Sequence, residues 1–354
     1  MPLVFSDAPM RVYWELTRAC DLACTHCRAC ANRSSDPREL ETDEIVHVLH
    51  QLAAGSTPHM IFTGGDPLKR RDFFEILEHA RAAGLPCSVS PSVTPLLTPD
   101  VIRTLASLRI DAMSLSLDGS TAPRHDGLRG VVGTYSRTLQ IAQTISASRI
   151  SLQINTLVTS ETVDDLPAIH DVVKRIGADR WSLFFLIATG RGKSLGQISP
   201  QRAEGVMNWA VDRAAARQPV VTTTEAPHYR RVAAMRRPPG TRGAGAGSPA
   251  RGLGIRDGNG VMFISHVGEI QPSGFLPLTG GSVRRDDPLR IYRESPLFRK
   301  LRQTELFTGR CGCCEFRGIC GGSRARAYAA TGNPFESDPL CAYVPRTMTS
   351  PQAQ

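Results

Sequence analysis

No stretch of this chain reaches the roughly 18 consecutive apolar residues of a membrane-spanning helix, so no transmembrane segment is expected. The opening residues, Met1-Pro2-Leu3-Val4-Phe5, lack the basic region and long apolar core of a secretory signal. A cytoplasmic location is the expectation that follows. The composition also lacks the bias of a disordered chain: 41% of the residues are hydrophobic and 21% charged, as in ordinary globular proteins. Aromatic residues make up only 6%, and they are not interleaved with the basic residues of the C-terminal part. That argues against a nucleic-acid partner, since single-stranded binders stack bases on such rings.

What the chain does have is ten cysteines, and their placement is uneven. Four lie in Cys20–Cys30, five in Cys311–Cys341, and Cys87 stands alone. A reducing compartment does not sustain a disulfide framework, and two clusters far apart in sequence point to two metal sites. The length of 354 residues accommodates one large core with a smaller appended domain. Charge is uneven as well. From His228 onward there are 19 Arg and Lys against 9 Asp and Glu, whereas the preceding residues hold 23 against 24. A basic C-terminal part points to an anionic partner such as a polycarboxylate, a phosphate or a nucleic acid. A solvated arginine-rich surface is the alternative.

The stretch Cys20-Asp-Leu-Ala-Cys24-Thr-His-Cys27 directly follows the apolar run Arg11–Leu16. Three thiolates can hold three irons of a [4Fe–4S] cubane and leave the fourth iron open. An open coordination position marks a catalytic centre, as it does for zinc. In the C-terminal cluster, Cys311, Cys314, Cys320 and Cys341 supply four thiolates, a complete set for a second [4Fe–4S] cluster or for a structural zinc. Cys313 is then spare, and Cys30 and Cys87 have no assigned role.

Six apolar runs read as strands: Arg11–Leu16, His59–Thr63, Pro86–Ser90, Ala112–Leu117, Ser151–Val158 and Trp181–Ala188. Their hydrophobicity suits a parallel sheet buried on both faces. Between them lie helix-start signals, including Thr98-Pro99, Ser199-Pro200, and Thr42 before Asp43-Glu44. The expected fold is α/β, a partial (β/α)6 TIM-like barrel with a small C-terminal iron–sulfur domain. The domain limits are 1–215 for the barrel, 216–256 for a linking region and 257–354 for the C-terminal domain. Arg236–Gly254, rich in Pro, Gly, Ala and Arg, reads as a flexible linker. Val261–His266 and Glu269–Gln271 read as a hairpin turning at Gly268.

Barrel chemistry sits on the loops after the strands. Cys20–Cys27 occupies the first such loop, and the second carries Thr63-Gly64-Gly65-Asp66-Pro67. Those glycines allow close approach to a ligand, and Asp66 can accept hydrogen bonds from an amine. The fourth strand ends Ser114-Leu115-Ser116-Leu117-Asp118, and the fifth places Gln153 and Asn155 on one face. Thr189–Gly192 contacts a ligand or simply turns. Thr224–Arg230 concentrates titratable groups, and Glu225, His228 and Tyr229 are the candidate catalytic residues facing the substrate, with surface or capping roles the alternative.

The Cys-x3-Cys-x-aromatic-Cys pattern of Cys20, Cys24, His26 and Cys27 resembles that of radical S-adenosylmethionine (SAM) enzymes. The C-terminal cysteines resemble a SPASM/Twitch auxiliary domain, and the likeness covers nearly the whole chain. It implies a SAM-binding [4Fe–4S] cluster on Cys20, Cys24 and Cys27, with His26 near the adenine. It further implies that Gly64, Gly65 and Asp66 bind the SAM amino group, with Asp in place of the commoner Glu. Ser116 and Asn155 match the positions that contact ribose and carboxylate. One auxiliary [4Fe–4S] cluster is implied on Cys311, Cys314, Cys320 and Cys341, because Ser273 and Arg324 stand where an inner cluster would need cysteines. Trp14–Cys20, His26–Ala29 and Cys320–Tyr328 resemble the branch that modifies tetrapyrrole side chains in haem and d-type haem biosynthesis. The implied activity is generation of a 5′-deoxyadenosyl radical for oxidative decarboxylation or side-chain removal. The implied partners are a tetrapyrrole and a reductase, flavodoxin or ferredoxin as electron donor. A maturase of a ribosomal precursor peptide is the alternative.

Overall fold

The computed structural model describes residues 5–214, 218–236 and 254–349. Its centre is a ten-stranded sheet in the order β10-β9-β8-β1-β2-β3-β4-β5-β6-β7. The strands are β1 (Arg11–Glu15), β2 (His59–Thr63), β3 (Cys87–Val89), β4 (Ala112–Ser116), β5 (Ser151–Val158), β6 (Arg180–Phe185), β7 (Val220–Thr224), β8 (Val261–Ile264), β9 (Glu269–Gln271) and β10 (Gly281–Ser282). From β1 to β7 each strand pairs in parallel with the next. β8 pairs in parallel with the free side of β1, and β9 and β10 follow antiparallel. All six expected strands are present and in order, in an α/β partial barrel.

The helices that cover it are α1 (Thr42–Gly55), α2 (Phe73–Ala82), α3 (Pro99–Ser107), α4 (Ala122–Arg129), α5 (Thr134–Ser146), α6 (Leu166–Arg175), α7 (Pro200–Ala214) and α8 (His228–Met235). Their starts follow local chemistry. The Thr98 hydroxyl accepts from the Val101 amide at 3.3 Å ahead of Pro99, and Ser199 accepts from Arg202 at 3.1 Å ahead of Pro200. At α1 the cap is Glu41, one residue earlier than Thr42, with Glu44 closing a capping box.

The strands are not buried alike on both faces. Val12 and Trp14 on β1, Met60 and Phe62 on β2, and Leu152 and Ile154 on β5 are buried in one core beneath the helices. The alternate residues Arg11, Tyr13, Thr63, Ser114, Ser116 and Asn155 face a cavity. A strand that walls a cavity carries polar groups on that side, which is why the expected uniform hydrophobicity is replaced by alternation.

The region 216–256 holds regular structure that the sequence did not signal. β7 and α8 lie inside this expected linking region, forming a seventh strand–helix unit. β7 escaped notice because it reads Val-Val-Thr-Thr-Thr, and only Val221 is buried. Residues 237–253, most of the expected flexible linker, lie outside the described residues. β8 and β9 form the expected hairpin, with Gly268 at φ 86° in its turn, but β8 belongs to the barrel sheet through β1. The C-terminal part thus begins as an extension of the barrel.

Beyond the sheet come α9 (Pro288–Glu294), α10 (Pro296–Arg302), α11 (Gly309–Gly312) and α12 (Arg324–Thr331). Arg326 of α12 is 1% exposed and ties this part to the barrel mouth. Its guanidinium donates to the Glu225 carbonyl at 2.7 Å and pairs with Asp338 at 3.1 Å, and it also reaches the carbonyls of Phe185 and Leu186. Among the described residues, no helix is long and apolar enough to cross a membrane.

Candidate active site

The strand ends and the loops after them enclose a cavity of about 410 Å³, within the range of small-molecule sites. Cys20, Cys24 and Cys27 all line it. Each sulfur has a donor beside it. The Leu22 amide points at Cys20 Sγ at 3.4 Å, the Ala31 amide at Cys27 Sγ at 3.3 Å, and Arg129 Nη1 at Cys24 Sγ at 3.7 Å. Ser92 Oγ lies 3.3 Å from Cys20 Sγ. At Cys20 burial raises the thiol, and the contacts from Ser92 and Leu22 oppose that; the thiolate is the form that binds metal.

The loop after β2 serves the first loop more than the cavity. A Cβ on Gly64 would sit 2.6 Å from the Thr17 carbonyl oxygen, and one on Gly65 would sit 2.5 Å from that of Ala19. The Gly65 amide donates to Thr17 and the Asp66 amide to Ala19, each at 2.7 Å. Glycine is therefore required so that the two loops can lie against each other, and both glycines still line the cavity. Asp66 departs from expectation. It is fully buried and does not line the cavity, and its carboxylate accepts from Thr94 Oγ1 at 2.8 Å and from the Leu68 amide at 3.2 Å. Burial pushes its carboxyl up to about 6. The carboxylate is thus occupied by Leu68 of its own loop and by Ser92 and Thr94 of the loop after β3.

His26, Ser116 and Asn155 all line the cavity. His26 Nδ1 is buried without a partner, and burial reinforced by Arg129 pulls the ring down to about 4, so it is neutral near pH 7. Asn155 accepts from Gln153 at 2.7 Å. Sequence reasoning left out Asp118 and Arg129 as site residues. They form a buried ion pair at the cavity wall, with Leu157 N donating to Asp118 at 2.7 Å. In the loop Thr189–Gly192, Thr189 and Arg191 line the cavity. Arg191 also donates to the carbonyls of Cys24 at 2.7 Å and Ala31 at 2.9 Å, bracing the cysteine loop. Only the position of Asp118, just after the end of β4, hinted at this set.

Of the three candidate catalytic residues, Glu225 alone lines the cavity. It sits at φ 56°, in the left-handed region where a non-glycine residue is strained. Its carboxyl accepts from Ser323 Oγ at 2.5 Å and is hydrogen-bonded to Asp257. Burial and the neighbouring Asp257 raise it well above the usual carboxylate range. His228 and Tyr229 are corrected: neither lines the cavity, because α8 turns them into packing behind it. His228 is fully buried against Phe185, 3.8 Å from Asp338, and Tyr229 is 5% exposed with no partner for its hydroxyl.

Cys311, Cys314, Cys320 and Cys341 are free thiols that perturb one another electrostatically. Backbone amides point at their sulfurs: Asp338 N at Cys311, Phe316 N at Cys314 and Gly322 N at Cys320, each at 3.4 Å. Cys313 instead donates to the Arg310 carbonyl at 3.6 Å. Arg324, fully buried, donates to the carbonyls of Pro334 and Glu336 and reaches Cys311 Sγ at 3.6 Å. The guanidinium serves this cysteine set where a further thiol would have served a second one.

The sequence model described as the Radical SAM superfamily matches residues 14–173. The AdoMet-dependent heme synthase of Methanosarcina barkeri is 35% identical over 348 residues, covering 97% of this chain and 99% of its own. That of Nitratidesulfovibrio vulgaris is 39% identical, with 96% and 93% covered. The chain belongs to the radical SAM superfamily. The crystal structure of SuiB from Streptococcus suis, bound to its precursor peptide SuiA, shares the fold with a TM-score of 0.76 at 18% identity, covering 95% of this chain and 76% of that one.

The cofactors of a radical SAM enzyme are a [4Fe–4S] cluster and SAM, and the donor sets fit them. Three thiols and a neutral imidazole with a buried, unpartnered nitrogen line one cavity. The four C-terminal thiols, Cys311, Cys314, Cys320 and Cys341, are a complete ligand set for an auxiliary [4Fe–4S] cluster.

Proposed function

We propose that this enzyme oxidatively trims carboxylate-bearing side chains of a tetrapyrrole on the way to a haem-type cofactor. The observation that carries the reading is the cavity wall, which joins aromatic surface to arginines without carboxylate partners. Arg11 and Arg230 line it. Arg11 makes no side-chain hydrogen bond or ion pair with the described residues. Arg230 is bonded to backbone carbonyls only, and burial together with Arg11 holds it down at about 10. Phe184, Phe185, Phe263 and Phe275 supply the apolar surface. A planar polycarboxylate satisfies both features. The haem synthases that resemble this chain along its whole length support the same reading.

In this proposal Cys20, Cys24 and Cys27 hold the SAM-binding cluster, and Cys311, Cys314, Cys320 and Cys341 the auxiliary one. When bound, the first cluster and SAM supply a 5′-deoxyadenosyl radical that abstracts hydrogen from an unactivated carbon. The chain's own contribution is position and environment. Arg191 and the Gly64-Gly65 loop fix the cysteine loop, and the neutral ring of His26 offers a flat face without adding charge. Arg11 and Arg230 draw carboxylates into the barrel, and the phenylalanines keep out water and stray hydrogen donors. Cys311, Cys314, Cys320 and Cys341 would hold a cluster able to accept an electron released with carbon dioxide. An acidic one-electron carrier such as a flavodoxin or ferredoxin suits the basic C-terminal part, and a reducing cytoplasm suits the ten free thiols.

The test is anaerobic turnover of the reconstituted enzyme with SAM and a reductant. A tetrapropionate iron porphyrin should release 5′-deoxyadenosine and carbon dioxide together and lose mass in steps of one carboxyl and one hydrogen. Deoxyadenosine released only with a precursor peptide would instead establish the maturase reading.

A further inference from the structure

Arg28 follows the last cysteine of the first loop and lines the cavity together with Phe263 and Phe275. Its Nη2 donates to Glu15 Oε2 at 2.5 Å. Glu15 is 1% exposed, and its other oxygen meets His266 Nδ1 at 2.9 Å. His266 in turn reaches Asp36 through Nε2 at 3.4 Å. Burial alone would raise the Glu15 carboxyl, but Arg28 and His266 hold it at about 2, so it stays a fixed anion. One edge of the Arg28 fork is thus locked from behind. Its other nitrogens, Nε and Nη1, have no protein partner among the described residues.

The face of the same guanidinium lies over the ring of Phe263 at 4.8 Å and near that of Phe275 at 6.0 Å. All three residues line the cavity, as does Gly274. A Cβ on Gly274 would meet Phe263 at 3.0 Å and Arg28 Nε at 3.2 Å, so the absence of a side chain there keeps the fork open. Arginine presents a planar, always-charged pair of donors that matches a carboxylate, and it stacks on rings. An ion pair with only one edge used, set on an aromatic wall, is a receptor with one half unfilled.

We propose that Arg28, braced by Glu15 and His266 and flanked by Phe263 and Phe275, is the specificity-determining clamp for a substrate carboxylate beside the SAM-cleaving centre. The phenylalanines receive the flat ring and Arg28 receives the side chain projecting from it, which sets which carboxylate faces the reacting centre. This rests on the tetrapyrrole reading above and goes beyond it by naming the residues that choose the side chain.

The experiment compares binding of an iron porphyrin bearing four propionates with binding of its tetramethyl ester, followed by Soret absorbance on the cluster-loaded enzyme. Wild type should bind the acid more tightly than the ester. Arg28→Gln should weaken acid binding on the order of 10- to 100-fold and leave ester binding unchanged, while Phe275→Leu should weaken both alike. Iron content and circular dichroism check that the Arg28→Gln enzyme is assembled. If it fails to assemble, Arg28→Lys, which keeps the charge but loses the fork, should show the same selective loss to a smaller degree. An undiminished preference for the acid in both Arg28 variants overturns the clamp and leaves the tetrapyrrole reading standing. Binding of neither compound by wild type overturns the tetrapyrrole reading and the clamp with it.

Discussion

The two cysteine sites are built from the same donor but in opposite ways. Cys20, Cys24 and Cys27 sit on a loop whose sulfurs open onto the cavity, braced from behind by Arg191 and by the Gly64-Gly65 loop. Cys311, Cys314, Cys320 and Cys341 do not line the cavity; Cys320 is buried, the others are half-buried, and Arg324 of α12 reaches Cys311 Sγ. Burial pushes the Cys320 thiol up to about 12, and a bound metal deprotonates such a thiol outright. In the proposed reading, three ligands leave a coordination position open for chemistry and four leave none, so the first set would serve the reaction and the second would hold a cluster.

Substituting the cysteines should separate the two roles most sharply. Cys24→Ser should abolish deoxyadenosine formation and remove about four irons per chain. Cys320→Ser should remove a similar amount of iron yet leave SAM cleavage without substrate measurable. If both variants lose SAM cleavage equally, the division of labour is wrong. A smaller effect is expected where the second site is docked on the barrel. Arg326→Met leaves Asp338 buried without its ion pair, which should cost about 3–5 kcal/mol in denaturant unfolding. A loss below about 1 kcal/mol would mean that the junction is held by packing instead.

The smallest effect is pH-dependent and belongs to His228, behind the cavity. Burial pulls its ring down to about 4, with Asp338 opposing and Arg326 and Arg231 reinforcing. Between about pH 4 and 6.5 the unfolded chain binds a proton that the folded chain refuses, so stability rises with pH across this window. The change should be about 3 kcal/mol, and His228→Gln should flatten it in apoprotein unfolding curves. An unchanged slope would assign the acid sensitivity to other groups.

What could be read from the sequence depended on whether chemistry or packing placed a residue. The grouping of the cysteines was legible because thiol spacing is a local signal, and the six strands because apolar runs bounded by caps are local signals too. β7 was missed, since an edge strand of threonines carries little hydrophobic pattern. The roles of Asp66, His228 and Tyr229 were misjudged for a related reason: sequence shows which groups can titrate, and only the fold shows which way they point. Asp66 has its oxygens taken by Thr94 and its own loop. Asp118 pairs with Arg129 across 11 residues, and Glu15 with His266 across 251, so neither pairing leaves a trace in local sequence.

The central claim, that the Cys20–Cys27 loop alone offers an open iron to SAM, is tested most directly by electron–nuclear double resonance on the reduced enzyme. SAM labelled in its amino nitrogen and carboxylate oxygens should couple to a cluster in Cys320→Ser protein and to none in Cys24→Ser protein. Coupling that persists in the Cys24→Ser protein would contradict the account.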